Sequence, residues 1–161
     1  MKRVLILEAN GQIARLVIPR LLQETDVHLT LYLREIARLQ SLESERVDVL
    51  EGDVNDFAAL TRAMKGQDIV YANLGGQFEP MVANIVKAME ENQVSRLTYL
   101  SNNDFAKVGE LTEKGEFYKG TIISRVSIAD LIVRIIKEPS LHSYASLGIS
   151  KPRTDGDRPM Y

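Results

Sequence analysis

Cysteine is absent from the 161-residue chain, which removes disulfides, thiol catalysis and cysteine-ligated metal sites together and fits a reducing compartment. Neither sign of charge is in large excess: 20 Lys and Arg stand against 22 Asp and Glu, a formal net charge of -2 at pH 7. Without a strong positive field there is little to draw in nucleic acid or an anionic membrane, so neither is an expected partner and any phosphate contact must be local. Long hydrophobic runs are missing too. Nothing approaches the ~18 apolar residues of a membrane span. The apolar run that follows Met1-Lys2-Arg3 is interrupted at Glu8, too early for a signal peptide. A cytoplasmic location is the simplest expectation.

What is present, 45% hydrophobic and 26% charged residues, is the composition of an ordinary folded globule. A chain of this length buries roughly 70% of its unfolded surface and needs only one core. The expected plan is a single domain over residues 1–150 followed by a polar tail over 151–161, where apolar side chains are too few to add to a core.

Apolar runs of strand length alternate with helix-period segments through the first hundred residues, the signature of a parallel sheet with crossover helices. Strands are expected at Arg3 to Leu7, Val27 to Leu33, Arg46 to Leu50, Asp68 to Leu74 and Arg96 to Leu100. Between them, helical spacing covers Gln12 to Gln23, with Pro19 placed to kink it, and Glu35 to Leu42. A third helix runs from its cap at Asp56 to Met64 and stops at Gly66, and a fourth covers Pro80 to Asn92. From Asn102 to Lys119 the periodicity dissolves into an irregular charged stretch. It resumes at Thr121 to Ser124. A capping box at Ser127-Ile128-Ala129-Asp130 then opens a helix to Lys137, and Ala145 to Ile149 forms a last strand. The fold class is α/β, a Rossmann-like doubly wound parallel sheet that is shortened after its fifth strand.

The turn between the first strand and first helix reads Glu8-Ala9-Asn10-Gly11-Gln12-Ile13-Ala14. In that position a glycine-bearing turn can bring backbone amides and a helix N-terminus up to a pyrophosphate, or it can simply be a tight βα turn. Arg34 follows the second strand, where a dinucleotide fold meets either the ribose hydroxyls with an acid or a 2′-phosphate with an arginine, and no acid precedes it in that strand. Its planar guanidinium suits phosphate and favours NADP(H) over NAD(H). The alternative is a solvated arginine at a helix start, neutralised by Glu35.

The segments Asn10-Gly11-Gln12-Ile13, Gly52-Asp53-Val54, Asp68 to Leu74 and Thr154-Asp155-Gly156-Asp157 together resemble NAD(P)-binding atypical short-chain dehydrogenase/reductases of the NmrA-like branch. The resemblance covers residues 1–101 and resumes near Leu111. It implies a dinucleotide ligand held by Asn10, Gly11, Gln12, Ile13, Arg34, Asp53, Val54, Asn73, Leu74 and Gly75. Asp53 would sit near the adenine, left free for that role because Asp56 serves as the helix cap. Asn73, Leu74 and Gly75 would line the ribose and nicotinamide side. Where the family's turn is GxxGxxG or GxxGxxA, this chain has Glu8, Gly11 and Ala14. A carboxylate 4 Å from a phosphate charge would repel it by about 4 kcal/mol at an effective dielectric of 20, enough to weaken cofactor binding on the order of a thousandfold. On this reading Glu8→Gly tightens NADPH binding.

In the same family a serine ends the fifth strand, and a tyrosine with a lysine four residues on protonates the substrate carbonyl. Ser101 stands at the serine position. No tyrosine of this chain has a lysine four residues later, and the strand and helix that relatives place before the Leu111 region are missing. Ser101 is therefore either a catalytic residue acting on an unknown small-molecule substrate or a strand-end serine satisfying backbone groups. His28 and His142 have no second ligand at metal spacing, so no metal site is expected. The sequence leaves two functions open: an NADP(H)-binding oxidoreductase or cofactor sensor, and a non-catalytic interaction module that has lost the cofactor. The missing strand exposes a sheet edge that a homodimer would cover.

Overall fold

The structure, a computed structural model, describes residues 1–39, 42, 44–75, 78–101 and 124–143. Runs of β-branched and aliphatic residues pair as five parallel strands: β1 Arg3–Leu7, β2 His28–Leu33, β3 Val47–Glu51, β4 Ile69–Leu74 and β5 Arg96–Ser101. Their order across the sheet is β3-β2-β1-β4-β5. The chain winds outward from β1 to β3, then crosses to β4 on the other side of β1, as right-handed βαβ units require of a doubly wound sheet. The direction of winding reverses between β1 and β4, and the carboxyl ends of these two strands bound the crevice that such a reversal opens.

Among the described residues, helices α1 Ala14–Glu24, α2 Phe57–Met64, α3 Phe78–Glu91 and α4 Arg125–Lys137 complete the regular structure, with a single 3-10 turn at Ile36–Arg38. On one face of the sheet, Leu5, Leu7, Tyr32, Val70, Ala72 and Leu74 form a buried cluster with Leu60, Ala63 and Met64 of α2 and Ile85, Ala88 and Met89 of α3. The buried α1 residues Ala14, Val17, Ile18 and Leu21 are outside that cluster. Strand alternation assigns them the opposite face with Val4 and Ile6. Each fully buried aliphatic side chain contributes about 1.5–3 kcal/mol, so the central strands are the best anchored part of the sheet. The half-exposed edge strands have less to hold them.

Several boundaries differ from the sequence reading for identifiable reasons. Where a helix was expected over 35–42, the described residues 35–39 form only the Ile36–Arg38 turn, flanked by extended Glu35 and Leu39, because none of these side chains is buried to offset the cost of nucleating a helix. Proline at position 19 lies inside α1 without ending it. Pro80 falls in the first turn of α3, where a missing N–H costs nothing. Helix α4 starts two residues before Ser127. Its cap is Ser124, whose side chain accepts from the Ser127 amide, so Ser127 is the third helical residue and not the cap. The irregular 102–119 stretch, residues 121–123, the Ala145 to Ile149 strand and the 151–161 tail lie outside the described residues.

Two compact units divide the chain, Met1–Ser101 and Asn102–Tyr161. No helix among the described residues is long and apolar enough to cross a membrane.

Candidate functional site

The carboxyl ends of β1, β2 and β4, with the turn after β3, bring most of the sequence-predicted residues to one edge of the first unit. After β1 the backbone turns sharply at Glu8, whose φ of 55° is the left-handed conformation that glycine adopts without strain. The Gly11 amide then donates to the Glu8 carbonyl at 2.9 Å, closing a tight loop ahead of α1. Ile13, the residue before α1, provides no side-chain cap, and the first turn of that helix holds no acidic residue. The amides of Gln12, Ile13 and Ala14 have no hydrogen-bond acceptor among the described residues. Free amides and the positive end of the helix dipole make this an anion-binding surface.

Gly11 packs closely against the amide tip of Asn73. A Cβ at this position would lie 2.0 Å from Asn73 Nδ2 and 3.2 Å from the Glu8 carbonyl oxygen. The side chain of Asn73, on β4, therefore reaches across the crevice to the turn after β1, and the two predicted residues adjoin at the switch point. Gly75, just beyond β4, has open space around it. Leu74 is buried in the core cluster. Ser101 ends β5 in register with Leu74, which places its backbone at the same edge of the sheet.

The adenosine side is organised by β2 and the turn after β3. Tyr32 is buried and donates its hydroxyl to the Asp53 carbonyl at 3.0 Å. Burial, reinforced by Asp56 and Asp53, pushes its pKa up to about 12. Gly52 makes room for this ring: a Cβ there would come within 2.3 Å of the Tyr32 hydroxyl. Asp56 caps α2 through the Ala59 amide at 3.0 Å, as its position suggested. Asp53 is less free than expected, since its Oδ1 accepts from the Asn55 backbone amide at 2.8 Å and from Asn55 Nδ2 at 3.0 Å. Oδ2 remains. Val54 is fully buried in the core cluster, and Asn84 of α3 donates to its carbonyl at 3.2 Å.

Two charged pairs change the electrostatic picture. Glu35 pairs with Arg38 at 2.7 Å, not with Arg34. Arg34 Nε instead lies 3.5 Å from Glu8 Oε1. Burial raises the Glu8 pKa above its ordinary value, Arg34 opposes that rise, and Asp53 adds to it. The Glu8 carboxylate is thus engaged toward β2, which departs from the expectation that it simply repels a pyrophosphate. Sequence reasoning missed Arg15, whose Nη2 and Nε donate to Asn10 Oδ1 at 2.7 and 3.1 Å and hold the turn. A cation in the first turn of a helix, against the dipole preference, is the signal that could have found it. Tyr32 was missed as well; its alternation with Thr30 on the same strand face is the corresponding hint.

The arrangement fits a nicotinamide dinucleotide on three counts: an uncapped helix N-terminus, a glycine whose Cβ would fill the crevice, and an arginine after β2. Among the described residues no group of three or more His, Asp or Glu side chains gathers as a metal ion would need. A sequence profile of the NAD(P)H-binding family matches residues 9–109. A Rossmann-fold NAD(P)-binding family protein from Shigella flexneri has 36% sequence identity and a TM-score of 0.87, with 100% of this chain and 99% of that one covered. A short-chain dehydrogenase/reductase from Veillonella parvula, crystallised with NADP, has 23% identity and a TM-score of 0.83, with 99% of each chain covered. ChuY, an anaerobillin reductase from Escherichia coli, superposes with a TM-score of 0.70 at 14% identity, covering 99% of this chain and all of that one. No curated protein matches the sequence.

Proposed function

The chain belongs to the NAD(P)H-binding family, and on that premise we propose that its first unit binds NADP(H) in preference to NAD(H), as an oxidoreductase or a cofactor-binding sensor. The observation that carries this reading is the approach of Asn73 to Gly11 beside the uncapped N-terminus of α1. Amides of Gln12 and Ile13 would hold the pyrophosphate, with Asn10 steadied by Arg15. Arg34 would meet the 2′-phosphate. Asp53, through Oδ2, would face the adenine, with buried Val54 supporting that turn from the core. Asn73, Leu74 and Gly75 would line the ribose and nicotinamide. When bound, the nicotinamide supplies a hydride.

Ser101 is the residue to orient a small-molecule substrate, in a member of the NmrA-like branch whose sequence lacks the segment after the fifth strand and the tyrosine and lysine acid pair, whether as a natural short variant, a deletion or an omitted loop. We keep with this a cytoplasmic location, one domain over 1–150 with a surface tail, and a homodimer that covers a sheet edge.

Thermal unfolding with NADPH and NADH tests the reading. A ligand at a hundred times its dissociation constant stabilises a fold by about 2.7 kcal/mol, a rise of several degrees in Tm for a domain of this size. No shift with either dinucleotide would favour the interaction module instead. NADPH oxidation in the presence of small carbonyl substrates separates a reductase from a sensor.

A further inference from the structure

Glu8 is the residue of the site that dinucleotide binding alone does not explain. Its backbone holds a glycine's conformation, yet its side chain is largely buried and reaches the arginine that follows β2. The two members of this pair differ in exposure, 24% for the Glu8 side chain against 63% for Arg34. The carboxylate is therefore the fixed partner and the guanidinium the adjustable one. Its neighbours give Glu8 little support: Asp53 is another acid, and Arg38, the next cation after Arg34, is held by Glu35.

We propose that Glu8 sets the discrimination at the 2′ position of the adenosine ribose, because a 2′-phosphate must displace its carboxylate from Arg34 whereas a 2′-hydroxyl need not. A ribose hydroxyl donates a hydrogen bond to a carboxylate, and a phosphate dianion cannot. Arg34 alone would select NADP(H) strongly. Paired with Glu8, it selects NADP(H) by a smaller margin, and NAD(H) keeps access to the site. This rests on the dinucleotide reading above. It differs from simple charge repulsion of the pyrophosphate, which both dinucleotides share and which would weaken them equally.

The test is a set of dissociation constants for NADPH and NADH, measured by fluorescence titration of the wild type, Glu8→Gln, Arg34→Gln and the double variant. Glutamine keeps the size of the side chain and the turn while removing the charge. Glu8→Gln is expected to raise the preference for NADPH over NADH by about tenfold, and by less than about threefold when Arg34 is already glutamine. An equal change in both dinucleotides, or a full shift that persists without Arg34, would overturn the role of Glu8 and leave dinucleotide binding standing. Failure of all four proteins to bind either dinucleotide would overturn both.

Discussion

The turns after β1 and after β3 leave the same edge of one sheet, and each leads into a helix, yet they treat that helix in opposite ways. The turn before α2 is self-sufficient: Asp56 caps the helix, Asp53 holds Asn55, and Tyr32 seals the turn from within. The turn before α1 leaves its helix uncapped. A capped helix end is finished by folding, while an uncapped one awaits an anion. On the proposed reading, the turn before α2 supports the fold and the turn before α1 receives the cofactor.

The two glycines test this most severely. Gly52→Ala would drive a Cβ into the buried Tyr32 ring, and overpacking of this kind costs about 1–3 kcal/mol or more. Gly11→Ala meets chiefly the amide tip of Asn73, which can rotate away, so urea denaturation should show a smaller loss of stability there. Its main effect should instead be weaker NADPH binding. Equal losses of stability at the two glycines would break the comparison.

Exchanging the caps is a milder test. Asp56→Ala should cost about 1 kcal/mol in thermal unfolding. Gln12→Glu, which gives α1 an acid at its start, should stabilise the free protein by a few tenths of a kcal/mol and weaken NADPH.

The smallest effects concern two carboxylates at opposite ends of the strands. Near the amino ends, a hydrogen bond from His28 Nε2, at 2.7 Å, and the Arg3 guanidinium, at 3.0 Å, lower the Asp48 pKa. Its stabilisation is present above the ordinary value of 3.8 and is lost as pH falls through the lower folded value. Asp48→Asn should flatten that acid limb of Tm. For Glu8 the sign reverses. Its raised pKa means that stability declines as pH rises from 4.5 through the folded value, and Glu8→Gln should remove that decline.

The central strands were legible because β1 and β4 are nearly unbroken apolar runs, buried on both faces, and neither periodicity nor length leaves another assignment. Asp56 was legible as a cap because the Ala59 amide it accepts from lies only three residues away. The 35–42 segment misled because its spacing is helical while nothing covers it, and burial is a property of the whole fold. At α4, Ser124 and Ser127 offer two caps of equal chemistry three residues apart. The site was legible as a set of positions: Gly11, Arg34, Asp53 and Asn73 each follow or end a strand. Their partners were not. Glu8 reaches Arg34 across 26 residues of sequence, a pairing made by the parallel register of β1 and β2, and no local pattern encodes it.

The left-handed backbone at Glu8 also bears on how fast the site can open. The main chain already has the course a glycine would give it, so no loop must move to clear the way for a cofactor. Only the exposed Arg34 side chain must turn from Glu8, and exposed side chains reorient in picoseconds to nanoseconds, far faster than ligands arrive. Cofactor association should therefore rise linearly with concentration in a single phase, without the plateau that a slow opening step would impose.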